Sequence, residues 1–346
     1  MSMKIALFTS VAGNGGSAAT AFHTAKLLRD FGWETVLFAP GDYWPERGRK
    51  ENIPVRSDLE LRRGLHPVSF WRDMRALYRF LRDAHPDVLV VQKSPEQWLA
   101  FLTLHAVQRP VALVRMRGVV FPLRATFFNR WIHNGMERVI CSARVIADQY
   151  KELERFNQNT VKVLHEGVNT ERFKPAAEQE KAQARERLKL DGEAFYFGTA
   201  GRPSPVKGHD LLVRAFAEAR PQLSSPAGPG VPRSVRLCIF SDESRRGPGS
   251  YPDLAPLCRE LGMAEHVDLR PGFVEDMRDV YRALDAYVIP SRGSEGSSRA
   301  ALEALASGLP LIATDVGVLP DIGQRLGDDV AQVTDSIHRH VTLIGW

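Results

Sequence analysis

The sequence predicts an α/β protein of two doubly wound domains, each a mostly parallel sheet with helices on both faces. Three observations predict it. The chain has 346 residues, more than one ordinary domain of roughly 100–200 residues. Short apolar runs alternate with helical periodicities, as parallel βα units require. The alternation breaks at His165–Pro175 (HEGVNTERFKP) and restarts at Phe195. The expected division is a first domain over 1–165, a connection and start of the second over 166–190, a second domain over 191–323, and an atypical tail over 324–346. Two such domains are expected to face a central cleft.

Lys4–Thr9 is a short apolar run and reads as a buried strand. The turn Gly13-Asn14-Gly15-Gly16-Ser17 follows, then helical spacing through Ala21, Phe22, Ala25, Leu27 and Leu28 to a stop at Gly32. Glu34–Ala39 is the next strand and completes one βαβ unit. Phe70, Trp71, Met74, Leu77, Tyr78 and Leu81 share a helix face, with Arg72, Arg75, Arg79 and Arg82 largely off it. Val88–Val91, Val111–Met116 and Val139–Ser142 read as strands, Trp98–Val107 as a helix, and another helix starts near Ala143. In the second half, a charged helix-forming stretch, Ala176–Leu190, precedes the strand Phe195–Ala200 and the helix Asp210–Ala219. Ser224–Pro232 (SSPAGPGVP) reads as a surface loop. Val235–Phe240, His266–Leu269, Ala286–Pro290 and Leu309–Thr314 are expected strands; Tyr251–Leu261, Met277–Leu284 and Ser298–Ala306 are expected helices.

Composition narrows the function classes. Hydrophobic residues at 44% and charged residues at 25% exclude a disordered or collagen-like chain. Cys141, Cys238 and Cys258 share no metal or disulfide spacing, so a reducing cytoplasm is the expected location. The longest uncharged stretch, Ile5–Ala25, is too rich in Gly, Asn, Ser and Thr to span a bilayer. Charge is uneven: residues 1–165 carry 24 Lys+Arg against 15 Asp+Glu (+9), and residues 166–346 carry 22 against 26 (−4). The arginines are scattered among acids, which does not support a nucleic-acid partner.

Three constellations carry chemistry. Pro290-Ser-Arg-Gly-Ser-Glu295-Gly-Ser-Ser-Arg-Ala-Ala-Leu-Glu303 places a carboxylate in a loop before a helix and a second one two turns into it. The helix opens at Gly296-Ser297-Ser298, and the backbone N–H groups of a helix start favour an anion. Gly201-Arg202 with Lys207-Gly208 puts two cations on one glycine-flanked loop at the end of a strand, where open α/β sheets bind ligands. Arginine offers bidentate geometry to phosphate oxygens and lysine a compact charge. Gly13-Asn14-Gly15-Gly16 puts flexible backbone at a strand–helix junction but matches neither the dinucleotide fingerprint nor the Walker loop.

Taken together, these residues resemble the retaining GT-B glycosyltransferases of glycosyltransferase family 4. The similarity runs from Lys4 to about Gly323. It rests on the Glu295-x7-Glu303 stretch with Ser-Glu-Gly before it and Leu-Glu-Ala-Leu-Ala-Ser-Gly-Leu-Pro around and after Glu303, and on Thr314-Asp-Val-Gly-Val-Leu-Pro-Asp-Ile322. The Arg202–Lys207 loop, Gly167–Pro175 and Pro271-Gly272-Phe273 match in order and spacing. The resemblance implies two Rossmann-like domains and a hexosyltransferase-type enzyme that moves a sugar from a nucleotide-diphosphate donor to a hydroxyl. It implies a role in bacterial cell-envelope glycan synthesis (lipopolysaccharide, capsule or exopolysaccharide) or glycolipid synthesis.

By the same resemblance Arg202 and Lys207 hold the diphosphate, Glu295 the sugar hydroxyls with Gly296, Ser297 and Ser298 beside it, and Glu303 the ribose. Phe273 and Val274 border the base, and Gly15 and Gly16 approach the phosphate. Arg202, Lys207 and Glu295 are the expected catalytic residues. No metal and no cofactor are expected. The acceptor is expected to be a glycan or lipid-linked molecule. The basic first half, the Phe70–Leu81 helix and the Phe121–Met136 stretch with Phe127, Phe128, Trp131 and Ile132 predict attraction to an anionic acceptor or an anionic membrane surface. A peripheral place at the inner face of the cell membrane follows from that.

Two departures stand out. Many relatives carry His-Gly after the strand Val111–Met116, where this chain has Arg117-Gly118; Arg117 is a candidate contact to donor sugar or acceptor. Relatives also continue past Ile322 with a segment that does not align here, so the second domain is expected to end short, with an uncovered sheet edge. The alternatives are a nucleotide-sugar 2-epimerase or phosphorylase on the same fold, or a homologue that binds without catalysis. A dinucleotide oxidoreductase fits worst, since its glycine fingerprint is missing.

Overall fold

The computed structural model describes residues 2–13, 15–62, 64, 66–107, 110–124, 126–223, 234–241, 253–272, 274, 276–293, 295–326, 330–334 and 340–344. The expected loop Ser224–Pro232 and the candidate Phe273 lie outside these residues. The chain divides into two compact units, Met1–Leu164 and His165–Trp346. Among the described residues no helix is long and apolar enough to cross a membrane.

In the first unit the chain forms β1 (Lys4–Phe8), α1 (Gly16–Asp30), β2 (Glu34–Phe38), α2 (Tyr43–Glu51), β3 (Val55–Arg56), α3 (Pro67–Ala84), β4 (Val88–Val91), α4 (Ser94–Ala106), β5 (Ala112–Arg117), α5 (Phe127–Asn134), β6 (Arg138–Cys141), α6 (Arg144–Asp148) and β7 (Val161–Val163). The sheet runs β3-β2-β1-β4-β5-β6-β7, all parallel. The order reverses between β1 and β4, which puts the ligand-binding crevice of such a sheet at their C-terminal ends. Ala18, Ala21, Phe22 and Ala25 of α1 pack on Leu7 and Leu37 in one core with Trp44.

Helices α2 and α5 and the short strands β3 and β7 have no counterpart among the expected elements, and α3 differs in its buried face. Helix α2 is charged and contains Pro45 and Gly48, so no apolar period announces it. It is held by tertiary contact: a Cβ on Gly48 would lie 2.6 Å from the Ile53 carbonyl oxygen. On α3 the buried face is turned from the expected one. Leu77, Phe80 and Leu81 are buried, while Trp71 and Tyr78 are exposed. The cause is Asp73, buried on the same face, whose carboxylate accepts from the Glu60 and Leu61 N–H groups at 2.9 Å each. Positions 73, 77, 80 and 81 follow helical spacing, and Phe80 meets Phe38 edge-on at 4.9 Å.

The second unit contains α7 (Glu178–Arg187), β8 (Phe195–Gly201), α8 (His209–Leu223), β9 (Val235–Ser241), α9 (Ala255–Glu260), β10 (Val267–Pro271), α10 (Met277–Ala283), β11 (Ala286–Ile289), α11 (Arg299–Ala306), β12 (Leu311–Thr314), α12 (Leu319–Leu326), β13 (Val330–Thr334) and β14 (His340–Ile344). Its sheet runs β10-β9-β8-β11-β12-β14-β13. Strands β8 to β12 are parallel, and the switch point lies between β8 and β11. Strands β13 and β14 form an antiparallel pair, and β14 lies against β12. The edge of β12, expected to stay uncovered, is therefore paired by backbone from the tail itself.

Asp285, one residue before β11, fixes α7 to this sheet. It accepts from Arg185 at 2.7 Å, Lys181 at 2.5 Å and the Tyr196 N–H at 2.7 Å. The buried Arg185 guanidinium is tolerated because it also donates to the Ala283 carbonyl at 2.9 Å and the Gly192 carbonyl at 2.7 Å.

Candidate functional site

The C-terminal ends of β8 and β11 are held together by glycine. Gly208 has φ +66°, and a Cβ there would lie 2.0 Å from the Pro290 carbonyl oxygen. Only glycine lets the Arg202–Gly208 loop settle on the end of β11. The Arg292 N–H donates to the Val206 carbonyl at 2.7 Å, and Arg292 pairs with Asp210 at 2.8 Å.

That closure brings Lys207 to Glu295. The Lys207 ammonium donates to Glu295 Oε1 at 2.6 Å, and the Ser291 hydroxyl donates to the same oxygen at 2.5 Å. Glu295 is 5% exposed. Its backbone is fixed as well: the Val318 N–H donates to its carbonyl at 2.8 Å. Gly317, at φ +64°, approaches so closely that a Cβ would lie 2.0 Å from the same carbonyl oxygen. Lys207, Glu295, Ser291, Ser298, His209 and Tyr287 line one small cavity at the switch point. Arg202 stands exposed on the same loop, and its guanidinium makes no hydrogen bond or ion pair among the described residues.

Ser298 caps α11 in a left-handed conformation, φ 43° and ψ 55°. A serine there is strained, and such strain collects at ligand sites. Its hydroxyl is buried and without a hydrogen-bond partner among the described residues. Gly296 is buried beside it and Ser297 half-buried.

Glu303 sits further along α11. Its Oε2 accepts from the Tyr281 hydroxyl at 2.9 Å, and Arg299 lies 3.5 Å from Oε1. Burial pushes its carboxyl above the usual range, against the hydrogen bond from Tyr281 and the charges of Arg299 and Arg172. Val274 is half-buried before α10.

In the first unit, Gly15 caps α1 with extended backbone and Gly16 opens the helix. The Trp44 indole N–H reaches the carbonyls of Val11 and Gly13, 3.2 Å each, and so fixes the turn before them. Glu96, which the sequence did not single out, lies fully buried at the third residue of α4. Its carboxylate accepts from the N–H groups of Ser10 at 2.5 Å, Gln92 at 2.7 Å and Lys93 at 2.8 Å. It joins the loop after β1 to the turn after β4. The available signal was Ser94-Pro95-Glu96 at a helix start, where an acid at the third position closes the cap.

Arg117 closes strand β5. It is 3% exposed. Its guanidinium donates to the Phe121 carbonyl and to Gln149 Oε1 at 2.6 Å each, over the Tyr150 ring. These contacts turn the side chain inward, where it anchors the loop after β5. Neighbouring Arg115 bonds Gln97 and lies 3.3 Å from His133. Burial, with both arginine charges, pulls His133 down to about 3, and burial pushes the Cys141 thiol up to about 11, which leaves it unreactive. Among the described residues no three His, Cys, Asp or Glu side chains gather as metal ligands.

Comparison with known proteins places the chain by family and fold. Residues 14–172 match the family described as Glycosyltransferase Family 4, and residues 194–340 match Glycosyl transferases group 1. The chain is 33% identical over 200 residues to the D-inositol 3-phosphate glycosyltransferase of Mycobacterium sp. (strain KMS), a match covering 58% of this chain and 42% of that protein. The chain thus spans less than half the length of this curated relative. A glycosyltransferase of Rickettsia africae ESF-5 superposes with a TM-score of 0.79 at 16% identity, over 92% of this chain and 81% of that one. Anabaena Alr3699/HepE, solved with UDP-glucose, superposes with a TM-score of 0.72 at 17% identity, over 92% and 82%.

Proposed function

The chain belongs to the family 4 glycosyltransferases of GT-B fold, and from that premise we propose that it is a retaining enzyme that moves a hexosyl group from a nucleoside-diphosphate sugar to a hydroxyl acceptor. The observation that carries this is the Lys207–Glu295 pair at the β8–β11 switch point, beside exposed Arg202 and the unpartnered Ser298 hydroxyl. In the free protein Lys207 neutralises Glu295. An arriving diphosphate draws the Lys207 ammonium and the Arg202 guanidinium to its oxygens. Glu295 is then released to accept from sugar hydroxyls, with Ser298 as a further donor. As the sugar leaves, the two cations stabilise charge growing on the diphosphate, the term that dominates such sites. They also stand where a metal would otherwise be needed, so the reaction proceeds without one.

The acceptor belongs to a bacterial cell-envelope glycan or glycolipid. Support comes from the first unit, where Phe121, Phe127, Phe128 and Trp131 are exposed around α5. Residues 118–136 hold Arg124 and Arg130 and no acid. Aromatic rings with flanking arginines suit the interface of an anionic membrane.

The test is a thermal-shift panel of UDP-, GDP- and ADP-sugars, followed by product analysis. One donor at 100 times its Kd is expected to stabilise the protein by about 2.7 kcal/mol, and the product should keep the donor's anomeric configuration. If no nucleotide sugar raises Tm, or if Arg202→Ala and Lys207→Ala leave the shift intact, the assignment fails.

A further inference from the structure

We propose that Tyr281 is a positioning residue: its hydroxyl aims Glu303, and its packing on Tyr287 ties that carboxylate to the end of β8 that leads into Arg202. The functional weight of Glu303, whose ribose contact the family resemblance implies, rests on the proposed function; the positioning does not.

The geometry is continuous. Tyr281 on α10 donates to Glu303 Oε2 at 2.9 Å. Its ring meets the Tyr287 ring edge to face, 5.3 Å between centroids. The Tyr287 hydroxyl, at the other end of that ring, accepts from the Ala200 N–H at 3.0 Å. Ala200 lies in β8, two residues before Arg202. Tyr287 also lines the cavity that holds Lys207 and Glu295. Both tyrosines are buried. A nucleoside diphosphate carries a ribose diol and a diphosphate on one molecule. A link that holds Glu303 and the β8 end in place before the ligand arrives lowers the ordering cost of binding both.

The charged and titratable groups facing Glu303 come from four elements. Tyr281 lies on α10, Arg299 on α11, Tyr287 on β11, and Arg172 in the segment after β7. Arg299 is more than a third exposed at the side chain and its contact is long, 3.5 Å. Arg172 lies 3.8 Å from Asp276, which it also serves. Tyr281 is the buried, short and directional partner. Burial favours the neutral carboxyl and the phenol hydrogen bond favours the carboxylate. Removing the hydroxyl therefore moves Glu303 protonation to higher pH.

The experiment compares wild type, Tyr281→Phe and Glu303→Ala in two readouts. The first follows the Glu303 side-chain carboxyl by ¹³C NMR across pH in protein labelled at glutamate, assigned with Glu303→Gln, without ligand. Tyr281→Phe is expected to titrate at higher pH. Protein carrying 3-fluorotyrosine, a stronger donor, is expected to titrate at lower pH, and it serves if the phenylalanine variant does not fold. The second is UDP affinity by calorimetry between pH 5 and 8. Tyr281→Phe is expected to weaken UDP roughly tenfold at the acid end, with the difference shrinking towards pH 8. A Glu303 titration unchanged in Tyr281→Phe and in fluorotyrosine protein overturns the proposal, even if Tm falls, because packing alone then explains Tyr281. If the titration moves but Glu303→Ala binds UDP as tightly as wild type, the positioning stands and the ribose role of Glu303 falls.

Discussion

Glu295 and Lys207 should be energetically coupled before any ligand binds, and a double-mutant cycle measures by how much. Lys207→Met keeps the aliphatic stem and removes the ammonium. Glu295→Gln keeps an oxygen for Ser291 and removes the charge. The 2.6 Å contact places a charged donor on a carboxylate 6% exposed at the side chain. A hydrogen bond between charged groups contributes about 1.5–3 kcal/mol. The Lys207 side chain is 29% exposed, so solvent screening lowers the expected coupling to about 1–2 kcal/mol. Lys207→Met alone should cost more than Glu295→Gln alone, because it strands a buried carboxylate with only Ser291 as donor. Adding Glu295→Gln to Lys207→Met should recover part of that loss. The assay is urea unfolding followed by far-UV circular dichroism. Tryptophan fluorescence separates the first unit, which holds Trp33, Trp44, Trp71, Trp98 and Trp131. Coupling below about 0.3 kcal/mol, the level at which independent sites add, would mean that the pair does not form in solution and that Lys207 already stands free for a phosphate.

Arg202→Ala should reduce turnover by roughly 10- to 100-fold through loss of a charged hydrogen bond, with Tm unchanged because the side chain is exposed; steady-state rates with the identified donor check this, and normal turnover sinks the role. Turnover should survive EDTA, and a loss that Mg²⁺ restores would contradict the metal-free reaction. The first unit should lose stability in acid. His133 is held down to about 3 and rises to about 6.5 on unfolding, so between those values the unfolded chain binds the extra proton and stability falls as pH falls. The loss between pH 7 and pH 5 is about 2 kcal/mol, read by urea unfolding with tryptophan fluorescence, and His133→Gln should abolish it. The α5 surface should sediment with anionic vesicles at low salt and less so at ~0.15 M salt; Phe127→Ser with Phe128→Ser should weaken this, and no sedimentation at low salt ends the membrane reading.

Much of the scaffold was legible because its signals are local. The run Lys4–Thr9 and the glycine turn after it need no distant partner to be recognised, and β1 and α1 lie there. Arg202, Lys207, Glu295 and Ser298 were legible as a motif, and Lys207, Glu295 and Ser298 line one cavity. What was hidden is long-range. Nothing near position 117 shows that Gln149 will take its guanidinium. Nothing near position 73 shows that two N–H groups from 60 and 61 will draw that aspartate inward and turn α3 with it. Helix α2 was missed because packing of Gly48 and Trp44 holds it, against a sequence that favours a turn. Nothing in the local sequence marks Tyr281 and Tyr287, whose hydroxyl partners lie on other elements.

The two units answer the same structural problem with the same kind of residue, and the difference between the answers separates scaffold from site. In each, a buried glutamate follows the strand that lies across the switch point: Glu96 after β4, Glu295 after β11. Both carboxylates fix a loop at the crevice of their sheet. Glu96 does so through three backbone N–H groups. Those donors are fixed by the backbone itself, so releasing Glu96 would break three backbone hydrogen bonds at once, at the cost of the loop itself. Glu295 does so through the side chains of Lys207 and Ser291. A lysine on a rotatable stem can leave a carboxylate for a phosphate without unfolding anything, and a hydroxyl can turn with it. The second arrangement can be exchanged without that loss. By that criterion Glu96 builds its loop, while Glu295 and Lys207 fit the role proposed for them above, trading each other for a sugar and a diphosphate.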